Sequence, residues 1–459
     1  MSNLLLHSAD FLVQDVERFI RGGALYIEEG VIRDVGPSAE LERRYRADES
    51  IDLSGCIVTP GLINAHNHLY EVLSRGLGKD FGTEGWLTNA IYPINQFMEG
   101  DDYYYGALVA LADCLGQGTT AVIEQMTNFA RFHADREVEA YLQCGIRGAV
   151  ARASTNRSTL DPREERPEEE DLKASEAFLK RWAGQKRVSP WLGPSGLFSC
   201  TPDLLGRLKN MSKDYDARFT IHLNETQIQA QLARREGFVG QIAQADRIGL
   251  LDERTSIAHA VWARDGELAL AARSGAQIIH NPSSNMILAS GVANVPKMLD
   301  LGITVGLGTD GPASNDSLDM VAEMKAAVLL HRVNTLDATV FHSRDAFRMS
   351  TEAGARVLGA ERLGRLEPGW TADVAAFRIG PSMAPVYDPV DALVYSGSGR
   401  DACLTIVDGE ALYRDGQYAR VDLREALDHL ERTAEEIRHK VPEAFSELPR
   451  AKGKRTMSG

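Results

Sequence analysis

Two histidines stand one residue apart in the stretch Pro60 to Tyr70, PGLINAHNHLY. On an extended strand alternate side chains share a face, so His66 and His68 can present imidazole nitrogens to one point, and that point could hold a metal ion. A lone HxH pair is equally at home on a surface, so the reading depends on ligands from elsewhere. His222, His259, His280 and Asp310 each close an apolar run of strand character. Five of the eleven histidines thus fall at predicted strand ends, while His7, His133, His331, His342, His429 and His439 scatter over other segments. Three imidazoles and one carboxylate suit Zn²⁺ and several other divalent first-row metals, with a water in the remaining position. His66, His68, His222 and Asp310 are assigned as the ligands. The segment Trp191 to Cys200 offers no lysine or glutamate to bridge a second ion, so the site is read as mononuclear.

Metal coordination lowers the pKa of bound water toward ~7, which supplies hydroxide at neutral pH. Glu225 lies three residues beyond His222 in HLNET. In a continuing strand the two would face opposite sides, so a catalytic Glu225 requires the chain to turn out of the strand near Asn224. With that turn its carboxylate can act as general base and then general acid. The alternative role is a charge at the N-terminus of a helix over Gln227 to Arg235. His259 is placed to hydrogen-bond the attacking hydroxide or the developing negative atom, or to serve as an additional ligand. No Gly-rich phosphate cradle, Ser or Cys nucleophile motif or dinucleotide fingerprint occurs, and hydrolysis is the reaction class that remains.

Such ligands need a scaffold that brings distant strand ends together. Eight apolar stretches, Val58 to Ile63, Thr119 to Glu124, Gly145 to Ala153, Pro190 to Pro194, Arg218 to His222, Thr255 to His259, Ala276 to His280 and Ile303 to Thr309, alternate with helical segments such as Asp102 to Leu115, Asp203 to Lys209 and Leu318 to Leu330. This pattern predicts an α/β fold, a (β/α)8 TIM barrel over residues 59–366, whose strand ends converge on one cavity. A doubly wound sheet is the alternative, but no Gly-rich turn follows the first strand. Short strands in residues 1–58 and again in 367–420 cannot bury both faces alone and are expected to form one small discontinuous β-sandwich domain. Ala338 to Leu358 reads as one helix. Residues 421–459 read as a charged amphipathic helix, Leu423 to Lys440, and a tail disordered from Pro449. The acidic run Arg163 to Asp171 reads as a solvated loop after strand three rather than a lid.

With 459 residues and a formal net charge of −15, the chain lacks the basic patch that phosphate-backbone binding needs. Its basic tail cluster, Arg450, Lys452, Lys454 and Arg455, reads as a solvated end. Five cysteines without CxxC pairing read as reduced thiols of a cytoplasmic protein and exclude a Cys-rich zinc site. No stretch has the pattern of a secretory leader or the length of a membrane span.

Seven stretches together resemble the amidohydrolase superfamily, in its branch of aminohydrolases acting on amino-substituted heterocycles: PGLINAHNHLYEVLSRGL (Pro60 to Leu77), GTTAV (Gly118 to Val122), HLNET (His222 to Thr226), AHAVW (Ala258 to Trp262), HNPSSNMILASGVANVP (His280 to Pro296), GLGTDGPASND (Gly306 to Asp316) and LEPGWTADV (Leu366 to Val374). The branch includes methylthioadenosine/S-adenosylhomocysteine, guanine and 8-oxoguanine deaminases and the triazine hydrolases. The resemblance implies one divalent ion, Zn²⁺ or alternatively Fe²⁺, on His66, His68, His222 and Asp310, with Glu225 as proton shuttle and His259 orienting water and leaving group. It implies that Trp86 borders a small heterocyclic substrate and that the chain forms homo-oligomers. His280 and Asn285 belong to a recurring HNPxSN stretch that either supports the site or touches the substrate. Two departures matter. Gly193-Pro194-Ser195-Gly196 lacks the histidine of the GPHAPY turn common in adenosine-type deaminases, and Asn95 stands where they place a glutamate for ribose hydroxyls. Both argue for an aromatic ring without ribose (a free base, pterin or triazine), with Trp86, Gln125 and Ser195 as candidate contacts. Displacement of chloride, alkylamine or a carbamoyl group from a triazine is the alternative, and a non-catalytic scaffold a remote one.

Overall fold

The computed structural model describes residues 3–157, 163 and 165–441. Five strands open the chain: β1 (Leu4–Val13), β2 (Phe19–Glu28), β3 (Val31–Pro37), β4 (Glu49–Asp52) and β5 (Cys56–Pro60). Eight barrel strands follow: β6 (Leu62–Asn67), β7 (Thr119–Met126), β8 (Arg147–Arg152), β9 (Val188–Leu192), β10 (Phe219–Leu223), β11 (Thr255–His259), β12 (Gln277–His280) and β13 (Val305–Leu307). They pair in parallel in sequence order, from β6 to β13. Asp310 N donates to His66 O at 3.0 Å, and Thr309 N to Asn64 Oδ1 at 3.0 Å, so the last strand end lies against the first and the cylinder comes together. Strands covered by helices outside and side chains inside are buried on both faces, as every residue of β7 is. The fold is a TIM barrel accompanied by a sheet from the two chain ends.

The apolar run expected to be the first barrel strand is in fact two strands. Cys56–Pro60 joins the outer sheet between β1 and β14 (Val374–Arg378), and only Leu62–Asn67 enters the barrel. Gly61 marks the change of partner: a Cβ there would stand 2.2 Å from the Thr120 side chain. The outer sheet is completed by β15 (Ala402–Val407), β16 (Glu410–Arg414) and β17 (Gln417–Tyr418), giving nine hydrogen-bonded strands. Leu4, Leu6, Ile27 and Val58 from the first half and Val374, Leu404 and Ile406 from the second share one apolar core.

Three further expectations change. Ala338 to Leu358 holds two helices, Ser343–Met349 and Glu352–Leu358, because Ser350 gives its carbonyl to Ile63 N at 2.7 Å, tying the break to the first barrel strand. Within residues 367–420, expected to hold short strands, the chain also forms a helix, Pro389–Ser396, whose first turn Asp388 caps. The acidic run is not wholly solvated: Asp171 lies in helix Glu168–Trp182 and accepts from Arg152 Nη2 at 2.8 Å, both side chains buried. The tail from Pro449 lies outside the described residues.

An ion pair ties the two sheets. Arg147, at the start of β8, reaches Asp373 beside β14 in a two-pronged contact of 2.9 and 3.1 Å, and Asp373 also accepts from Asp408 N at 2.7 Å. Removing one partner of such a buried pair leaves an uncompensated charge, so Asp373→Ala should destabilise the fold by about 3–5 kcal/mol. A lowered unfolding temperature is the readout; an unchanged one would mean the contact contributes nothing.

Candidate metal centre

His66 leaves β6 pointing into the barrel, and His68 follows one residue after the strand. Their Nε2 atoms each lie 3.4 Å from Asp310 Oδ1, and His222 Nε2 lies 3.3 Å from His68 Nε2. His66, His68 and Asp310, and separately His66, His222 and His259, bring possible ligand atoms within 4.8 Å of one another. The structure therefore gathers all five residues at one point.

The protonation of these groups can be read from their partners. His68 Nδ1 lies 2.6 Å from Gln125 O, and His222 Nδ1 lies 2.8 Å from Ser195 O. A carbonyl only accepts, so both Nδ1 atoms carry the hydrogen and both Nε2 atoms expose lone pairs. Two lone pairs facing each other at 3.3 Å call for an electropositive centre between them. Burial disfavours the charged form of His66, His68 and His222, with His68 pushed down to about 4 and His222 well below its ordinary value. Burial alone would raise Asp310, but His66, His259 and His68 outweigh it and hold the carboxyl well below the usual range. Neutral imidazoles and an ionised carboxylate are the forms a divalent cation binds. Among the described residues neither nitrogen of buried His66 has a hydrogen-bond partner, which fits a ligand as well. The donor set fits one divalent ion.

Strand ends here turn sharply. Asn224, His259 and Asp310 have φ of 55°, 74° and 64°, a conformation uncommon outside glycine and costing of order 1–3 kcal/mol each. Surrounding bonds hold them there. Asn224 N donates to Gln241 Oε1 at 2.7 Å, its Oδ1 accepts from Gln241 N at 2.8 Å and its Nδ2 donates to Glu267 Oε2 at 3.1 Å. This is the turn that Glu225 requires. It delivers the carboxyl to the cavity wall beside His222 and His259, with Thr83 Oγ1 donating to it at 3.3 Å. Burial raises the Glu225 carboxyl from its ordinary value. Helix Gln227–Arg235 is capped by Thr226 instead, whose Oγ1 accepts from Gln229 N at 3.3 Å.

A cavity of about 70 Å³ opens on these groups. Trp86 and Ser195 line it as expected candidates, together with Tyr92, Phe198 and Leu288. Among the described residues Trp86 Nε1 and Ser195 Oγ have no protein partner, so each is available to a substrate. Gln125 is placed differently: its Nε2 donates to Gly193 O and Pro194 O at 3.1 Å each, and its backbone carbonyl orients His68. His280 is also away from the cavity lining, with its Nε2 3.2 Å from His331 Nε2. Its HNPSSN stretch supports the ligands, since Ser284 Oγ donates to Asp310 Oδ2 at 2.6 Å and His259 Nδ1 lies 2.9 Å from Asn285 Oδ1. Asn95 is buried and does not line the cavity.

Sequence reasoning missed Glu71. Three residues past His68, it is buried in the cavity wall, and burial raises its carboxyl well above the ordinary value. A Cβ at Gly311 would meet Glu71 Oε2 at 1.9 Å and His68 Cβ at 3.1 Å, so glycine after Asp310 makes room for both. Gly311→Ala should displace them and lower metal occupancy and kcat/KM by at least about tenfold, the scale seen when groups supporting metal ligands are lost. Metal content by atomic emission, with kinetics, checks this.

The amidohydrolase family model matches residues 57–412, and the chain belongs to that family. It is accordingly a hydrolase acting on carbon–nitrogen bonds other than peptide bonds. A 5-methylthioadenosine/S-adenosylhomocysteine deaminase of Desulforudis audaxviator is 37% identical over 419 residues, 90% of this chain and 95% of that protein. A 5'-deoxyadenosine deaminase of Methanopyrus kandleri is 32% identical over 425 residues, 92% and 96% of the two chains. Among solved structures, the zinc complex of an atrazine chlorohydrolase from Arthrobacter aurescens superposes with a TM-score of 0.87 at 27% identity, covering 94% of this chain and 100% of that one.

Proposed function

We propose that this chain is a mononuclear metal-dependent aminohydrolase that replaces the exocyclic amine of a nitrogen heterocycle by oxygen. The observation that carries the reading is the convergence of His66, His68, His222 and Asp310 with the Glu225 carboxyl on one cavity walled by aromatic side chains. His66, His68, His222 and Asp310 would hold the divalent ion, zinc in this reading, which when bound would lower the pKa of water toward neutrality. Glu225 takes a proton from water and passes it to the adjacent ring nitrogen, then takes the second proton from the hydroxyl now on the ring carbon and delivers it to the departing amine. His259, whose Nε2 lies 3.9 Å from Asp310 Oδ2, faces the developing tetrahedral carbon and steadies the oxygen added there. Trp86, Tyr92 and Phe198 hold the ring. The atoms balance: the ring carbon loses NH₂, water supplies oxygen, and ammonia departs.

Ser195 in place of a histidine, and Asn95 away from the cavity where a ribose-binding glutamate is the alternative, favour a ring without sugar. A second reading, a 5'-substituted adenosine, is favoured by the names of relatives at 32–37% identity. Ammonia release from a panel of purine bases, pterins, aminopyrimidines, s-triazines and 5'-deoxyadenosines tests both. Turnover of free rings with at least about tenfold higher kcat/KM supports the first; the reverse order installs the second. Chloride or alkylamine release without ammonia would overturn both in favour of displacement chemistry.

A further inference from the structure

A second cavity, of about 360 Å³, adjoins the catalytic one. Thr83, Leu87, Phe198 and Gln229 line both spaces, which therefore meet at a shared wall. Both have apolar walls, but the annex lacks the imidazoles and Asp310 of the catalytic space, and its apolar lining is Leu87, Leu197, Phe198, Ile228 and Leu232. Ile228 and Leu232 lie four residues apart on helix Gln227–Arg235, one above the other on the same face, and are 53% and 47% exposed. Paired aliphatic side chains beside a catalytic cavity gain free energy only when apolar matter covers them. Glu84, Arg157, Glu236, Gln241 and Gln244 also line the annex. Gln229 connects the two spaces directly, since its Oε1 accepts from Glu225 N at 3.0 Å while the residue also lines the annex.

The geometry points to the annex as the subsite for an apolar arm, alkyl or aryl and of butyl to hexyl size, carried by the heterocycle whose amine is removed. The occupant is assigned to the substrate because the annex shares Thr83, Leu87, Phe198 and Gln229 with the cavity where the ring must sit. This assignment rests on the aminohydrolase reading and extends it to a class of substituted rings.

The test uses metal-loaded enzyme with adenine and melamine, with 9-butyl- and 9-hexyladenine and mono-N-butyl- and mono-N-hexylmelamine, all of which keep a free exocyclic amine, and ammonia as readout. KM should fall with arm length, by up to about fourfold per methylene, the factor that ~0.8 kcal/mol of burial gives, with kcat little changed. In Leu232→Gln and Ile228→Asn, both partly exposed and tolerant positions, the ratio of kcat/KM between hexyl and parent compounds should collapse toward one. Parent rings deaminated with no gain from the arm, or a gain that survives both substitutions, would overturn the annex while leaving the aminohydrolase reading intact. Ammonia from none of the compounds, nor from the wider panel, would remove both.

Discussion

Glu225→Gln is expected to keep its full complement of divalent metal and to lose turnover by about 10²–10⁴-fold, the contribution of a positioned general acid–base group. Glutamine preserves the shape of the side chain and its bond from Thr83 but carries no transferable proton. Because Glu225 accepts its proton at the end of a turn fixed by Asn224, Gln241 and Glu267, the substitution leaves those bonds intact. Metal analysis, circular dichroism and steady-state kinetics on the same preparation separate loss of chemistry from loss of fold. Turnover within a factor of about three of wild type would remove Glu225 from its role as proton carrier and return it to the lesser role of a charge near a helix start.

The second large effect belongs to Asp310. Its carboxylate lies 3.4 Å from both His66 and His68, and removing it leaves the imidazoles without their only negative partner among the described residues of the cluster. Asp310→Ala should bind the divalent ion more weakly by more than about 10²-fold and lose all measurable turnover. Chelation of the wild-type protein should give the same loss, reversed by adding back zinc. Unlike the Glu225 variant, the Asp310 variant loses metal and activity together. If Asp310→Ala retained a full equivalent of metal through dialysis, the four-residue ligand set would be wrong.

The barrel and the candidate ion site were legible for a common reason. Most barrel strands are buried on both faces and so appear as apolar runs, and each proposed ligand stands near the end of such a run, as His222 and Asp310 do. The turn at Asn224 could be required but not seen, because a left-handed residue depends on Gln241 and Glu267, which are remote in sequence. Periodicity could not divide Cys56 to Ile63 between two sheets, since both halves are apolar and buried. It could not break the helix at Ser350 either, because that break is set by a hydrogen bond to Ile63. Gln125 and Ser195 show a similar limit. Side-chain identity marked them as substrate contacts, while their backbone carbonyls, which any residue would supply, orient His68 and His222. Glu71 carries a usable signal, a carboxylate on the apolar stretch directly after HxH.

The central claim is that water replaces an amine on a ring. The most direct measurement is turnover by the zinc-loaded enzyme in ¹⁸O-labelled water, on whichever ring the panel identifies, with ammonia and the oxo product quantified together. Each turnover should release one ammonia and place one ¹⁸O in the product ring, and Glu225→Gln should do neither. Product without ¹⁸O, or loss of chloride or alkylamine in place of ammonia, would contradict it.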